Sequence, residues 1–172
     1  ITHFIFLSDS CIPVKSFNTV YNSLSPNFSY FNLAKNNFIP SFDNIPVYKS
    51  SQWCILSRQH AEMIQRTNLD NIFKFFPPNS HFCADEYVYL SLLMYFNQEK
   101  QLYLTHNSSS TATTFTGWKG MKDYKEFPNS IKIKQPNNYT HISKEELIYM
   151  IQQPCLFARK FKENCTGLEN LL

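Results

Sequence analysis

"KSSQWCILSRQHAE" (residues 49–62) is the stretch on which the fold of this 172-residue chain turns. Its first nine residues, with Trp53, Ile55 and Leu56 among them, read as a core strand. Ser57 then stands where a helix N-cap belongs, ahead of "RQHAEMIQRT". A core strand that feeds a capped helix points to a layered α/β domain.

Outward from that stretch the same mixture continues. "HFIFLSD" (3–9) is a continuous apolar run ending in polar residues, a second core strand expected in the same sheet as "QWCILS". Ser16 is placed to cap a short helix that packs Phe17, Val20, Tyr21 and Leu24 on one side. Between Ser25 and Tyr48, Pro26, Pro40, Pro46 and many asparagines predict long loops with one short strand around "FSYFNLA". "NLDNIFKFF" extends helical structure toward Pro77 and Pro78, which stop it. A helix beginning near Asp85 is expected to bury Val88, Leu92 and Tyr95, with Tyr89 and Leu93 widening the stripe. "QLYLTH" and "TATTFTGW" fit short strands, and Ser143 with Glu146 forms a capping box for "ISKEELIYMI". With no repeat and no long linker, residues 1–172 read as one domain. Because position 1 is Ile and a strand follows at once, they are expected to be the later part of a longer one.

Composition excludes several classes. The net charge is +3 and the basic residues are scattered, which argues against a nucleic-acid binder. With only three glycines there is no G-x-G-x-x-G and no phosphate loop. The five cysteines form no C-x-x-C, so a zinc ribbon or thioredoxin-like motif is not expected. Sequons at Asn27, Asn107, Asn138 and Asn164 lean toward a secretory compartment. No apolar run approaches the ~20 residues of a membrane-spanning helix, so any anchor is expected outside this segment.

Asp85 and Glu86 open the most informative question. They are either carboxylates decorating the first turn of a helix or a base at the mouth of a site. As neighbours in sequence they point apart, which makes them a poor pair for a glycoside hydrolase, whose two carboxylates sit about 5–9.5 Å apart.

Four segments, "FLSDSCIP" (6–13), "KSSQWCILSRQHAE" (49–62), "CADEYVYLSLL" (83–93) and "LFARKF" (156–161), resemble in order and spacing the core-2/I-branching β-1,6-N-acetylglucosaminyltransferase family, which includes peptide xylosyltransferases. The resemblance implies a GT-A-like α/β fold whose nucleotide-binding first half precedes this segment. It implies inverting transfer of N-acetylglucosamine or xylose from a UDP-sugar to a glycan or glycoprotein, without a metal or other cofactor, in the lumen of the Golgi or another secretory compartment.

Carried over residue by residue, the resemblance casts Glu86 as catalytic base and Asp85 as a cap or orienting group. Lys160 becomes the phosphate ligand, with Arg159 a second candidate. The family's other phosphate-binding Arg has no counterpart in "KIKQPNNYTHIS", where Lys132 or Lys134 is the nearest substitute. Trp118 is the implied acceptor-stacking ring. Ser50, Ser51 and Gln52 line the site, with serine standing where the family has glycine. Asp9 and Ser10 follow the first strand, where open sheets meet ligands. Trp53 and His60 read as structural. The alternative is a non-catalytic carbohydrate-binding relative that kept the fold.

Overall fold

The computed structural model describes residues 1–42, 45–68, 83–106, 113–117 and 136–171. It is a mixed α/β structure that divides into two compact units, residues 1–6 with 24–107 and residues 7–23 with 108–172.

The first unit is built on strands β1 (His3–Ile5), β3 (Ser29–Phe42), β4 (Ile45–Ser50), β5 (Ile55–Ser57) and β6 (Leu102–His106). β1 pairs antiparallel with β5, Phe4 opposite Leu56, so the two core strands expected in one sheet are direct neighbours. Each is shorter than expected. "HFIFLSD" leaves the sheet after Ile5, and "KSSQWCILS" is two strands, Lys49 and Ser50 ending β4 before the chain bends through residues 51–54 into β5.

The larger correction concerns residues 25–48. They hold the longest strand, β3, folded back on β4 with Ile39 opposite Val47 and Phe42 opposite Ile45, where loops had been expected. The prolines are accommodated by position. Pro40 falls where the ladder shifts register between Ile39 and Phe42, and Pro46 lies on β4 at the end of the strand order. Proline tolerates both places because neither demands a ladder N–H. On its other edge β3 pairs parallel with β6 from Ser29↔Leu102 to Leu33↔His106. A parallel pair needs a long crossover, here carrying helices α2 (Arg58–Arg66) and α3 (Val88–Tyr95).

Ser57 caps α2 as its sequence predicted, its hydroxyl accepting the His60 N–H. Phe31, Leu33, Leu56 and Leu102 from the sheet pack against Ile64 of α2 and Val88, Leu90, Leu92 and Leu93 of α3. Each such side chain contributes about 1.5–3 kcal/mol through burial. α3 differs from the expected one-sided stripe. Leu90 and Ser91 are buried too, while Tyr95 is 54% exposed, because the helix packs against both α2 and β4.

Beneath α2 lies a small buried polar network. The Ser57 N–H donates to Ser29 Oγ at 2.9 Å, and Ser29 Oγ lies 2.8 Å from His60 Nδ1. Burial holds the His60 imidazole below its ordinary proton affinity, partly offset by Gln98 and Gln101. A histidine with a lowered folded-state pKa stays neutral while the unfolded chain takes up a proton. Its contribution to stability is therefore present above pH ~6.5 and lost as pH falls toward the lower folded value. The melting temperature should accordingly drop between pH 7 and pH 5, and the drop should shrink in His60→Gln. An equal drop in both proteins would contradict this role.

The second unit holds a three-stranded sheet in the order β2 (Ile12–Pro13), β9 (Phe157–Arg159), β7 (Thr114–Thr116). A parallel pair, β8 (Tyr139–His141) with β10 (Phe161–Thr166), lies beside helix α4 (Lys144–Gln152). Ser143 and Glu146 complete the expected capping box. The core gathers Val14, Phe115, Tyr139, Ile142, Leu147, Met150, Ala158 and Phe161. α1 (Phe17–Ser23) is capped by Ser16 as expected, but it buries only Val20. Phe17 and Tyr21, expected in the packed face, are 79% and 60% exposed and stack on one another.

Candidate active site

Glu86 lies in a single turn of 3-10 helix, Ala84–Glu86, one residue before α3. Neither helix start has a side-chain cap: the N-cap positions are Cys83 and Tyr87, and neither makes a capping hydrogen bond. Asp85 is exposed and likewise does not cap α3, so the expected capping role is not what places it.

What holds Glu86 is strand β4. Lys49 Nζ stands 2.9 Å from Glu86 Oε2, with the two side chains 38% and 25% exposed. The same ammonium lies 5.5 Å from the centre of the Tyr87 ring. The hydrogen bond to Glu86 raises the Lys49 proton affinity above its ordinary value, against a smaller desolvation cost. The neighbours of Lys49 reinforce the arrangement. Buried Ser50 directs its hydroxyl at the Glu86 carbonyl, 3.5 Å away, and the Tyr48 N–H donates to Ser91 Oγ at 2.9 Å. Three consecutive residues of one strand therefore tie the turn and helix that carry Glu86.

Ser51 and Gln52 occupy the bend that follows. The Ser51 N–H donates to the Asn32 carbonyl at 2.8 Å, and Ser51 Oγ accepts the Trp53 N–H at 3.3 Å. Trp53 is half-buried. Cys54, next along, is buried. Desolvation pushes its thiol up to about 12, with a lesser contribution from the Asp85 charge. It is an inert core thiol.

The residues expected at the phosphates belong to the second unit. Arg159 ends β9 and Lys160 is the single residue between β9 and β10, both half-buried. The Lys160 carbonyl accepts the Tyr139 N–H at 2.8 Å, and the Phe161 N–H donates to the Ser10 carbonyl at 2.9 Å. Ser10 thus sits against the Arg159–Phe161 segment, in a turn where its hydroxyl lies 2.9 Å from Ser8 Oγ. Asp9 is exposed on that turn. Burial lowers the Arg159 proton affinity, partly countered by nearby Cys11, yet a guanidinium remains charged. All five cysteines are free thiols.

Gly117 shows why glycine precedes position 118. A Cβ there would fall 2.3 Å from the Tyr139 hydroxyl. Trp118, Lys132 and Lys134 lie outside the described residues.

Two clusters therefore emerge, each assembled from residues far apart in sequence. Lys49, Ser50 and Glu86 meet in the first unit, and Ser10, Arg159 and Lys160 in the second. Lys49 had been given no role from sequence. Its only signal was a basic residue immediately ahead of the Ser50–Gln52 segment.

No protein-family model matches the chain. A curated protein of Oryza sativa subsp. japonica, "Glycosyltransferase BC10", is 40% identical over 70 residues, which is 36% of this chain and 18% of that protein. The chain thus spans less than a fifth of the relative it matches. At that extent the match supports a relationship to glycosyltransferases at a coarse level.

Proposed function

We propose that this chain is the C-terminal portion of the catalytic domain of an inverting glycosyltransferase of the core-2/I-branching type, on a GT-A-like fold. It transfers N-acetylglucosamine or xylose from a UDP-sugar to a glycan or glycoprotein. The observation that carries this reading is the environment of Glu86. Its carboxylate caps no helix, is partly open to solvent, and is held through one oxygen by Lys49. The rice relative and the four ordered segments agree with it.

In the reaction, an acceptor hydroxyl oxygen attacks the anomeric carbon of the donor as the bond to the UDP oxygen breaks. Glu86 takes the hydroxyl proton, and the electron pair of the broken bond leaves with UDP. Inversion follows from a single displacement with no covalent enzyme intermediate. Lys160, with Arg159 beside it, offsets the charge that builds on the leaving diphosphate. Ser10 and Asp9 border that segment, while Ser50 borders Glu86 and is followed by Ser51 and Gln52 as further lining candidates. Trp118 supplies a stacking face for the acceptor.

The setting is the lumen of the Golgi or another secretory compartment, with any anchor outside this segment. Asn27, Asn138 and Asn164 are exposed, as glycosylation there requires. Among the described residues no helix is long and apolar enough to cross a membrane.

The test is to incubate the full-length protein with UDP-N-acetylglucosamine or UDP-xylose and a mixed glycan acceptor, with and without EDTA. Turnover that persists in EDTA is the expected result. Turnover lost in EDTA and restored by manganese would overturn the role given to Lys160. No turnover with either donor would favour a non-catalytic relative.

A further inference from the structure

We propose that Lys49 is the positioning residue of the site, acting on transfer only through Glu86. The inference rests on the reading of Glu86 as base. It starts from the asymmetry of the carboxylate: Oε2 is engaged by Lys49 at 2.9 Å, and Oε1 has no hydrogen-bond partner among the described residues. Oε1 is thus the oxygen offered to an acceptor hydroxyl.

The backbone around Glu86 gives it little intrinsic rigidity. A single 3-10 turn is a short element with poor hydrogen-bond geometry, and Glu86 has several rotatable bonds. Rigidity comes instead from β4. Lys49 lies between Tyr48, whose N–H is tied to Ser91 of α3, and Ser50, whose backbone pairs with Leu33 of β3. The ammonium is further restrained by the face of the Tyr87 ring, the kind of cation–aromatic contact that adds attraction without a directional bond. An arm anchored on a sheet thereby fixes the rotamer of a base carried on a single short turn. Misplacement of a reacting group by about 1 Å can cost on the order of 10²-fold in rate, so this anchoring bears on turnover rather than on substrate affinity.

The alternative is a simple surface ion pair, worth about 0–1 kcal/mol of stability and indifferent to catalysis. A double-mutant cycle separates the two. Transfer from UDP-N-acetylglucosamine or UDP-xylose and melting temperature are measured in the full-length wild type, Lys49→Met, Lys49→Arg, Glu86→Gln and the Lys49→Met/Glu86→Gln double variant. Lys49→Met should lower kcat by ~10–10² with KM for the donor little changed. Lys49→Arg, which keeps a cation that can reach Oε2, should recover most of that loss. In the Glu86→Gln background the Lys49→Met change should cost nothing further.

A kcat loss of the same factor in both backgrounds would overturn the inference, since Lys49 would then act independently of Glu86. So would near-native kcat in Lys49→Met while Glu86→Gln collapses, and that outcome would leave the base assignment standing. Near-native transfer by Glu86→Gln, or no transfer by the wild type, would remove the reading on which the inference rests, and the inference with it. A fall in melting temperature shared by Lys49→Met and Lys49→Arg, with kcat following it, would mark the contact as structural only.

Discussion

Glu86→Gln should lower sugar transfer by ~10²–10⁴-fold and leave binding of UDP nearly unchanged. The substitution keeps the size and shape of the side chain and removes the ability to accept a proton. The structure makes the experiment clean. Glu86 supplies no side-chain cap to the 3-10 turn or to α3, so its replacement withdraws no helix-terminal hydrogen bond. What it loses is the charge opposite Lys49, a partly exposed pair of small stabilising value. Melting temperature should therefore move little while turnover collapses. Asp85→Asn is the matched control, because Asp85 is exposed on the same turn and caps nothing. A variant that transfers sugar at a near-native rate would reduce Glu86 to a surface carboxylate.

Lys160→Ala should carry the second large effect, a ~10²–10³-fold loss of kcat/KM for the donor with weakened binding of free UDP. Diphosphate charge is present in the bound donor and grows as the glycosidic bond breaks, so a cation there acts on both binding and rate. The backbone at this point is fixed independently of the side chain. The Lys160 carbonyl is held by the Tyr139 N–H and the next residue's N–H by Ser10, so removal of the amine leaves the segment in place. Titration of UDP into wild type and variant by calorimetry reads the effect directly. An unchanged Kd for UDP would move the phosphates away from Lys160.

How much of this was legible in the sequence depended on the range of the forces involved. Ser57 and Ser143 were readable as caps because a cap bond closes within three residues. The pairing of β1 with β5 was foreseeable because two apolar runs need a common core. The β3–β4 hairpin was not. Its prolines and asparagines carry a local loop signal, and the ladder accommodates Pro40 at a register shift and Pro46 on an end strand. α3 was recognised as a helix but not as one buried on several sides, since periodicity cannot reveal that β4 and α2 both pack on it.

The site divides in the same way. Glu86 and Lys160 entered as candidates through the family resemblance of their segments, whereas the Lys49–Glu86 contact depends on a strand folding back beside a distant turn. Nothing in the spacing of the two residues announces it. Phe17 and Tyr21 failed as core residues for a related reason. Helical periodicity gave them a common face with Val20, and in the structure Val20 is buried while Phe17 and Tyr21 stay exposed and stack on one another.

The most direct measurement is proton NMR of the sugar product formed by the full-length protein from UDP-N-acetylglucosamine or UDP-xylose, both α-linked donors, with Glu86→Gln in parallel. A β-linked product from the wild type, formed ~10²–10⁴-fold more slowly by Glu86→Gln, is the expected result. An α-linked product, or a β-linked product formed equally well by Glu86→Gln, would contradict an inverting transfer with Glu86 as its base.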